Sequence, residues 1–96
     1  MGGVYMERYF IKVVGRVQGV GFRYNTLFVA KTFGVTGWVK NCDDGSVDIE
    51  VQGEENSVQK FISKIKQGGN PVVKVTDTKV VKIECIEGER TFKVNY

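Results

Sequence analysis

The sequence predicts an α+β sandwich: a mostly antiparallel sheet with two helices on one face, in the order β-α-β-β-α-β plus a terminal strand. Three observations carry this. Short segments alternate apolar and polar residues with the period of a strand, and two longer ones repeat with the period of a helix. Glycine-rich breaks separate them in that order. The 96 residues hold one small domain and no second core.

Met1 to Glu7 is expected to be a short flexible leader, with residues 8–96 as the single domain. From Arg8, the parity of Tyr9, Ile11 and Val13 gives a strand with one apolar face, ending at Gly15. Arg16 to Gly21 reads as a loop. Phe22 to Phe33 has the length of a helix, and Phe22, Thr26, Val29, Ala30 and Phe33 fall on one stripe. Gly34 stops it. Val35 to Asn41 is the second strand, and Asp44-Gly45 marks a hairpin turn. Ser46 to Gln52 alternates, with Val47, Ile49 and Val51 inward and Ser46, Asp48, Glu50 and Gln52 outward.

Glu54 to Gln67 is the second helix, with Val58, Phe61, Ile62 and Ile65 as its apolar stripe. Its acidic start and basic end suit the helix dipole. Lys74 to Glu84 is a Val- and Lys-rich strand, expected to be a solvated edge whose lysines block pairing between sheets. Thr91 to Tyr96 closes the chain, with Phe92, Val94 and Tyr96 on one face. Two helices cover only one face of such a sheet, which makes the sandwich ferredoxin-like.

Composition excludes several chemistries. Fourteen Lys and Arg against eleven Asp and Glu give a net charge of +3, spread along the chain rather than clustered as in a duplex-binding protein. No histidine is present, which removes Ser–His and Cys–His catalysis and any His-bearing metal site. Two cysteines cannot alone supply a four-ligand zinc site. Apolar runs are only a few residues long, so no membrane association is expected, and a cytoplasmic protein with two free thiols is.

Two segments can carry chemistry. In Gly15-Arg16-Val17-Gln18-Gly19-Val20-Gly21-Phe22-Arg23, glycines between a strand and a helix start let successive N–H groups point inward as an anion nest. Arg23 falls in the first helical turn, where its guanidinium can bind two phosphate oxygens at once. A glycine loop alone more often merely turns the chain. The spacing lacks the third glycine of a dinucleotide fingerprint, and no Gly-Lys-Ser/Thr occurs. The second segment, Gly37-Trp38-Val39-Lys40-Asn41, ends in a neutral amide able to hold a water molecule or simply to cap a turn. A parallel second strand finishes at the sheet end where the first loop begins, which brings Asn41 toward Arg23. Trp38 reads as sheet packing.

Together with Asp44-Gly45-Ser46-Val47 and the Phe92-x-Val94-x-Tyr96 ending, these two motifs in order resemble the acylphosphatase family over nearly the whole domain. The resemblance implies hydrolysis of the carboxyl–phosphate bond of acyl phosphates, with no cofactor, no metal and no phosphoenzyme. It assigns phosphate binding to Arg23 and to backbone amides of Gln18, Gly19, Val20, Gly21 and Phe22, and orientation of the attacking water to Asn41. Inorganic phosphate or sulfate is then expected as a product-like ligand. Cys42, Asn25, Leu27 and Phe28 depart from the family's usual residues. Leu27 and Phe28 flank the helix stripe on opposite sides, so they read either as packing under neighbouring segments or as a patch for weak self-association of an otherwise monomeric protein.

Two other readings fit the sequence less well. A cysteine phosphatase needs Cys-x5-Arg, whereas Cys85 to Arg90 is one residue short and Cys42 has no following Arg. A single-stranded RNA-binding module shares the strand order, but its third strand would supply no aromatic platform here, and Asp48 and Glu50 would repel phosphate, so no nucleic-acid partner is expected.

Overall fold

The computed structural model describes residues 5–96. Strands β1 (Met6–Arg16), β2 (Thr36–Asn41), β3 (Val47–Glu54), β4 (Lys74–Ile83) and β5 (Phe92–Asn95) and helices α1 (Phe22–Phe33) and α2 (Glu55–Lys66) follow in the predicted order. The sheet order is β4-β1-β3-β2-β5. Every neighbouring pair is antiparallel except β2 and β5, which run parallel with Gly37 opposite Phe92 and Lys40 opposite Asn95. This is the ferredoxin-like sandwich.

The first strand starts earlier than the sequence suggests. Met6 and Glu7, read as leader, pair with Glu54 and Gly53, because β3 also runs on past Gln52 and offers them a ladder. The remainder of that leader, residues 1–4, lies outside the described residues.

The core fills the space between sheet and helices. Ile11 and Val13 of β1, Val47, Ile49 and Val51 of β3, and Val58, Phe61, Ile62 and Ile65 of α2 are all buried. Phe61 meets Phe92 of β5 with ring centroids 5.8 Å apart, which ties α2 to the far edge of the sheet. Truncating Phe61 to Ala would cost about 3–5 kcal/mol. From α1, Phe22, Thr26 and Ala30 are buried, while Val29 and Phe33 pack half-buried. Thr26 is admitted because its hydroxyl donates to the Phe22 carbonyl at 2.9 Å.

The helix-free face holds the main surprise. Ser46 and Gln52, expected outward, are buried. Ser46 is closed over by the Lys12 ammonium and the Gln18 amide, and Gln52 is covered by Arg8, whose side chain is fully buried on that face. Its Nε donates to Glu50 at 2.8 Å, its Nη1 to Gln52 at 3.1 Å, and its two Nη atoms to both carboxylate oxygens of Glu89. Burial weakens the charged form of Arg8, but Glu89 and Glu50 more than offset this, and its pKa stands above the ordinary arginine value. Gln52 also exchanges two hydrogen bonds with the backbone of Ile86, at 2.7 and 2.9 Å. The segment between β4 and β5 is thereby strapped across the open face. Removing one partner of such a buried charge pair is destabilising, by about 3–5 kcal/mol.

At the outer edge, β4 is exposed along most of its length, as its lysines predict. Trp38 is half-buried. Leu27 packs half-buried against the core, whereas Phe28 is 69% exposed.

Candidate active site

The loop after β1 is built to leave amides free. Val17 is buried and anchors it in the core. Gly19 and Gly21 have φ of 73° and 79°, a left-handed backbone that a side chain disfavours. Gly21 is the N-cap of α1, which has no side-chain cap and no acidic residue in its first turn. The first helical N–H groups therefore lack intrahelical partners, and the positive end of the helix is not neutralised from within.

Over these amides opens a cleft of about 100 Å³, lined by Val17, Gly19, Gly21, Phe22, Arg23, Tyr24 and Asn41. Five of the seven sequence-predicted site residues thus meet in one place. Phe22 contributes backbone, since its ring is in the core. The other two stand beside the cleft. Val20 packs half-buried against the core, and its carbonyl accepts from Asn70 Nδ2 at 3.2 Å. The Gln18 side chain turns away and donates to the carbonyls of Cys42 and Ser46 at 2.7 and 2.9 Å.

Asn41 ends β2, paired with Val47. Its side-chain oxygen is enclosed and has no hydrogen-bond partner among the described residues. The hairpin beyond it is tight: Cys42 N donates to the Ser46 carbonyl at 2.8 Å and Gly45 N to the Cys42 carbonyl at 3.2 Å. Asp44 accepts from the Ser46 hydroxyl and amide, which holds its carboxyl below the usual range. Lys12 reaches under the hairpin to Asp48 at 2.8 Å and Ser46 Oγ at 3.1 Å, and the Asp48 carboxylate pushes the ammonium pKa up. Cys42 is half-buried and Cys85 exposed, and both are unpaired.

Arg23 is held from the far side. Its Nη1 donates to the Asn95 carbonyl at 3.3 Å, and its guanidinium carbon lies 4.7 Å from the centre of the Tyr96 ring. The hydroxyls of Tyr24 and Tyr96 are 2.7 Å apart, and that hydrogen bond raises the Tyr96 pKa. Tyr24, Asn95 and Tyr96 are not among the sequence-predicted site residues. The parity that groups Tyr96 with Phe92 also misleads, since Phe92 is buried and Tyr96 is 80% exposed. The missing signal is the parallel pairing of β5 with β2, which carries Asn95 to the level of Lys40, next to Asn41.

An α+β sandwich with this cleft at one sheet end is the class that fold and site define. Comparison with known proteins makes it specific. A family model described as Acylphosphatase matches residues 9–94. The chain is 53% identical over 91 residues to an acylphosphatase of Clostridium acetobutylicum, covering 95% of this chain and 99% of that one. The crystal structure of acylphosphatase from Bacillus subtilis is 46% identical, with a TM-score of 0.88 over 94% of this chain and 99% of that chain. The crystal structure of full-length HypF in its phosphate- and nucleotide-bound form is 28% identical, with a TM-score of 0.89. The match covers 99% of this chain but 12% of that chain.

The chain belongs to the acylphosphatase family. It is an enzyme, and its reaction class is the hydrolysis of acyl phosphates.

Proposed function

We propose that the cleft between Arg23 and Asn41 hydrolyses acyl phosphates by direct attack of a water molecule on phosphorus. The observation that carries this reading is the Asn41 side-chain oxygen, an enclosed acceptor without a donor at the wall of an anion-ready cleft. A water molecule is the simplest donor to complete it, and orphaned buried acceptors are costly unless something fills that role.

In this mechanism the guanidinium of Arg23 takes two oxygens of the phosphoryl group, and the free amides of the Gly19–Phe22 segment take the others. Asn41 directs the water lone pair at phosphorus, opposite the acyl oxygen. The phosphorus–water oxygen bond forms as the bond from phosphorus to the acyl oxygen breaks, and the carboxylate departs with that electron pair. One water proton stays on the attacking oxygen and the other passes to a phosphoryl oxygen, so the products are a carboxylate and dihydrogen phosphate. A carboxylate leaves well without a general acid, which suits a chain that has no histidine. The protein's contribution is positioning and charge stabilisation, as in phosphoryl transfer generally.

Hydrolysis of acetyl phosphate in ¹⁸O-water tests the route. Attack on phosphorus puts the label in phosphate. Label in acetate would mean attack on the acyl carbon and would overturn the assignment. Inorganic phosphate and sulfate, both tetrahedral anions, should inhibit competitively.

A further inference from the structure

Arg8 and Glu89 lie on the helix-free face, away from the residues that line the cleft. We infer that this pair is a positioning device for Arg23, acting through β5. The inference rests on the reading of Arg23 as the phosphate-binding residue.

The route is short. Arg23 makes no ion pair among the described residues. The partners found for its guanidinium are the Asn95 carbonyl and the Tyr96 ring, both at the end of β5. That strand has four residues, lies at the sheet edge, and is bonded to β2 alone. A short edge strand with one neighbour is among the first elements to open locally. The entry of β5 is held by the Phe92 ring, packed against Phe61, and by the strap before it. Glu89, three residues ahead of Phe92, clasps both Nη atoms of Arg8 at 2.8 and 3.2 Å and accepts from Thr36 Oγ1 at 2.7 Å. The Thr91 carbonyl then accepts from Gly37 N at 3.1 Å, which starts the parallel ladder.

Both ends of this path are therefore fixed by β2 and its neighbours. Thr36 and Gly37 begin β2, and Asn41 ends it. With Glu89 clasped, β5 lies in register beside β2, and Arg23 is held level with Asn41. With the clasp released, the entry of β5 keeps only the Phe92 packing and the Thr91 carbonyl, and the acceptor and ring that hold the guanidinium are less firmly placed. A loop–strand unit of this kind adjusts the aim of a binding group without touching the ligand.

The test compares Glu89→Ala, Glu89→Gln, a core control Val58→Ala and Arg23→Ala, all kept well below their unfolding midpoints. Inorganic phosphate affinity is measured by calorimetry, and kcat and KM with acetyl phosphate. Glu89→Ala should weaken phosphate binding about tenfold, in line with the sensitivity of bound geometry to small displacements, and Glu89→Gln, which keeps one acceptor for Arg8, by less. Val58→Ala should lower the unfolding temperature while leaving phosphate affinity unchanged, which separates positioning from loss of stability. Full phosphate affinity in folded Glu89→Ala, alongside its loss in Arg23→Ala, would overturn the clasp and leave the phosphate site standing. Unaltered phosphate binding by Arg23→Ala would overturn both.

Discussion

Gln18 donates its side-chain amide to the Cys42 carbonyl at 2.7 Å, and the same nitrogen reaches the Ser46 carbonyl at 2.9 Å. The loop that frees its amides for an anion and the hairpin that carries Asn41 are therefore one unit, although 23 positions separate Gln18 from Asn41. Gln18→Ala should cost about 1–3 kcal/mol of stability, the net worth of two hydrogen bonds, since both carbonyls keep a backbone donor from within the hairpin. Gln18→Glu should be worse, because a carboxylate has no donor to offer two acceptors. Thermal unfolding of the two variants checks this order, and a Gln18→Glu variant as stable as the wild type would contradict it.

Arg23→Lys should nearly abolish hydrolysis while the fold survives. The guanidinium offers an intrinsically planar fork of donors, oriented by the Asn95 carbonyl and the Tyr96 ring, and an ammonium on a flexible stem copies neither feature. The loss in transition-state stabilisation should be on the order of 2–5 kcal/mol, read from kcat/KM. Near-normal turnover in a folded variant would remove Arg23 from the mechanism.

Asn41→Ala should cut kcat strongly and leave inhibition by inorganic phosphate almost unaltered. The side chain is assigned to the water, and an interaction made chiefly in the transition state is read in kcat rather than in ground-state affinity. Because its oxygen has no protein partner to lose, stability should fall little. Weakened phosphate inhibition that tracked the loss of turnover would instead make Asn41 a phosphate ligand.

Lys12 gives a pH dependence with a definite sign. Asp48 raises its pKa above the ordinary 10.5, so the folded state holds the proton more tightly than the unfolded chain does. That stabilisation is complete below about pH 10.5 and is lost as pH rises through the higher folded value. Lys12→Met should be less stable than the wild type at neutral pH, by up to about 1 kcal/mol for a pair open to solvent. The gap should narrow as pH rises past 10.5 and through the higher folded value, as shown by denaturant titrations at a series of pH values. A gap independent of pH would mean that the stem of Lys12, not its charge, carries the effect.

How much of this is legible in the sequence depends on the distance over which each feature is decided. Helix α1 can be read to the residue, because its stripe and its Gly34 stop are local. The meeting of Arg23 with Asn41 is legible too, since one crossover connection fixes which strand ends lie together. The burial of Arg8 is not. Its partners Glu50, Gln52 and Glu89 lie 42, 44 and 81 positions away, and alternation on β3 places Gln52 on the outer face without revealing that a strap covers it. Tyr96 escapes for the same reason: its role depends on β5 joining β2 at the edge, a pairing that no short-range pattern encodes.

Leu27 and Phe28 part company in the structure, and a pair of single substitutions exploits this. Leu27 packs against the core, so Leu27→Glu must expose a charge to that packing or pull the helix away from it. It should cost about 2–4 kcal/mol, within the range for losing a large core-packed apolar group. Phe28 is 69% exposed and borders a groove between α1 and α2 with Asn25, Val29, Thr32, Phe33, Lys64, Gln67 and Gly69. A Glu there would stand in water within reach of a groove that already carries Lys64, so Phe28→Glu should change stability by no more than about 0.5 kcal/mol. Neither residue lines the Arg23–Asn41 cleft, and acetyl phosphate hydrolysis by the Phe28 variant should stay within a few-fold of the wild type. If Phe28 instead mediates self-association, light scattering across a concentration series will show a wild-type oligomer that the Glu variant lacks. A wild type that remains monomeric at every concentration leaves Phe28 as a solitary exposed aromatic. An unfolding temperature that falls as far for Phe28→Glu as for Leu27→Glu would return it to the core.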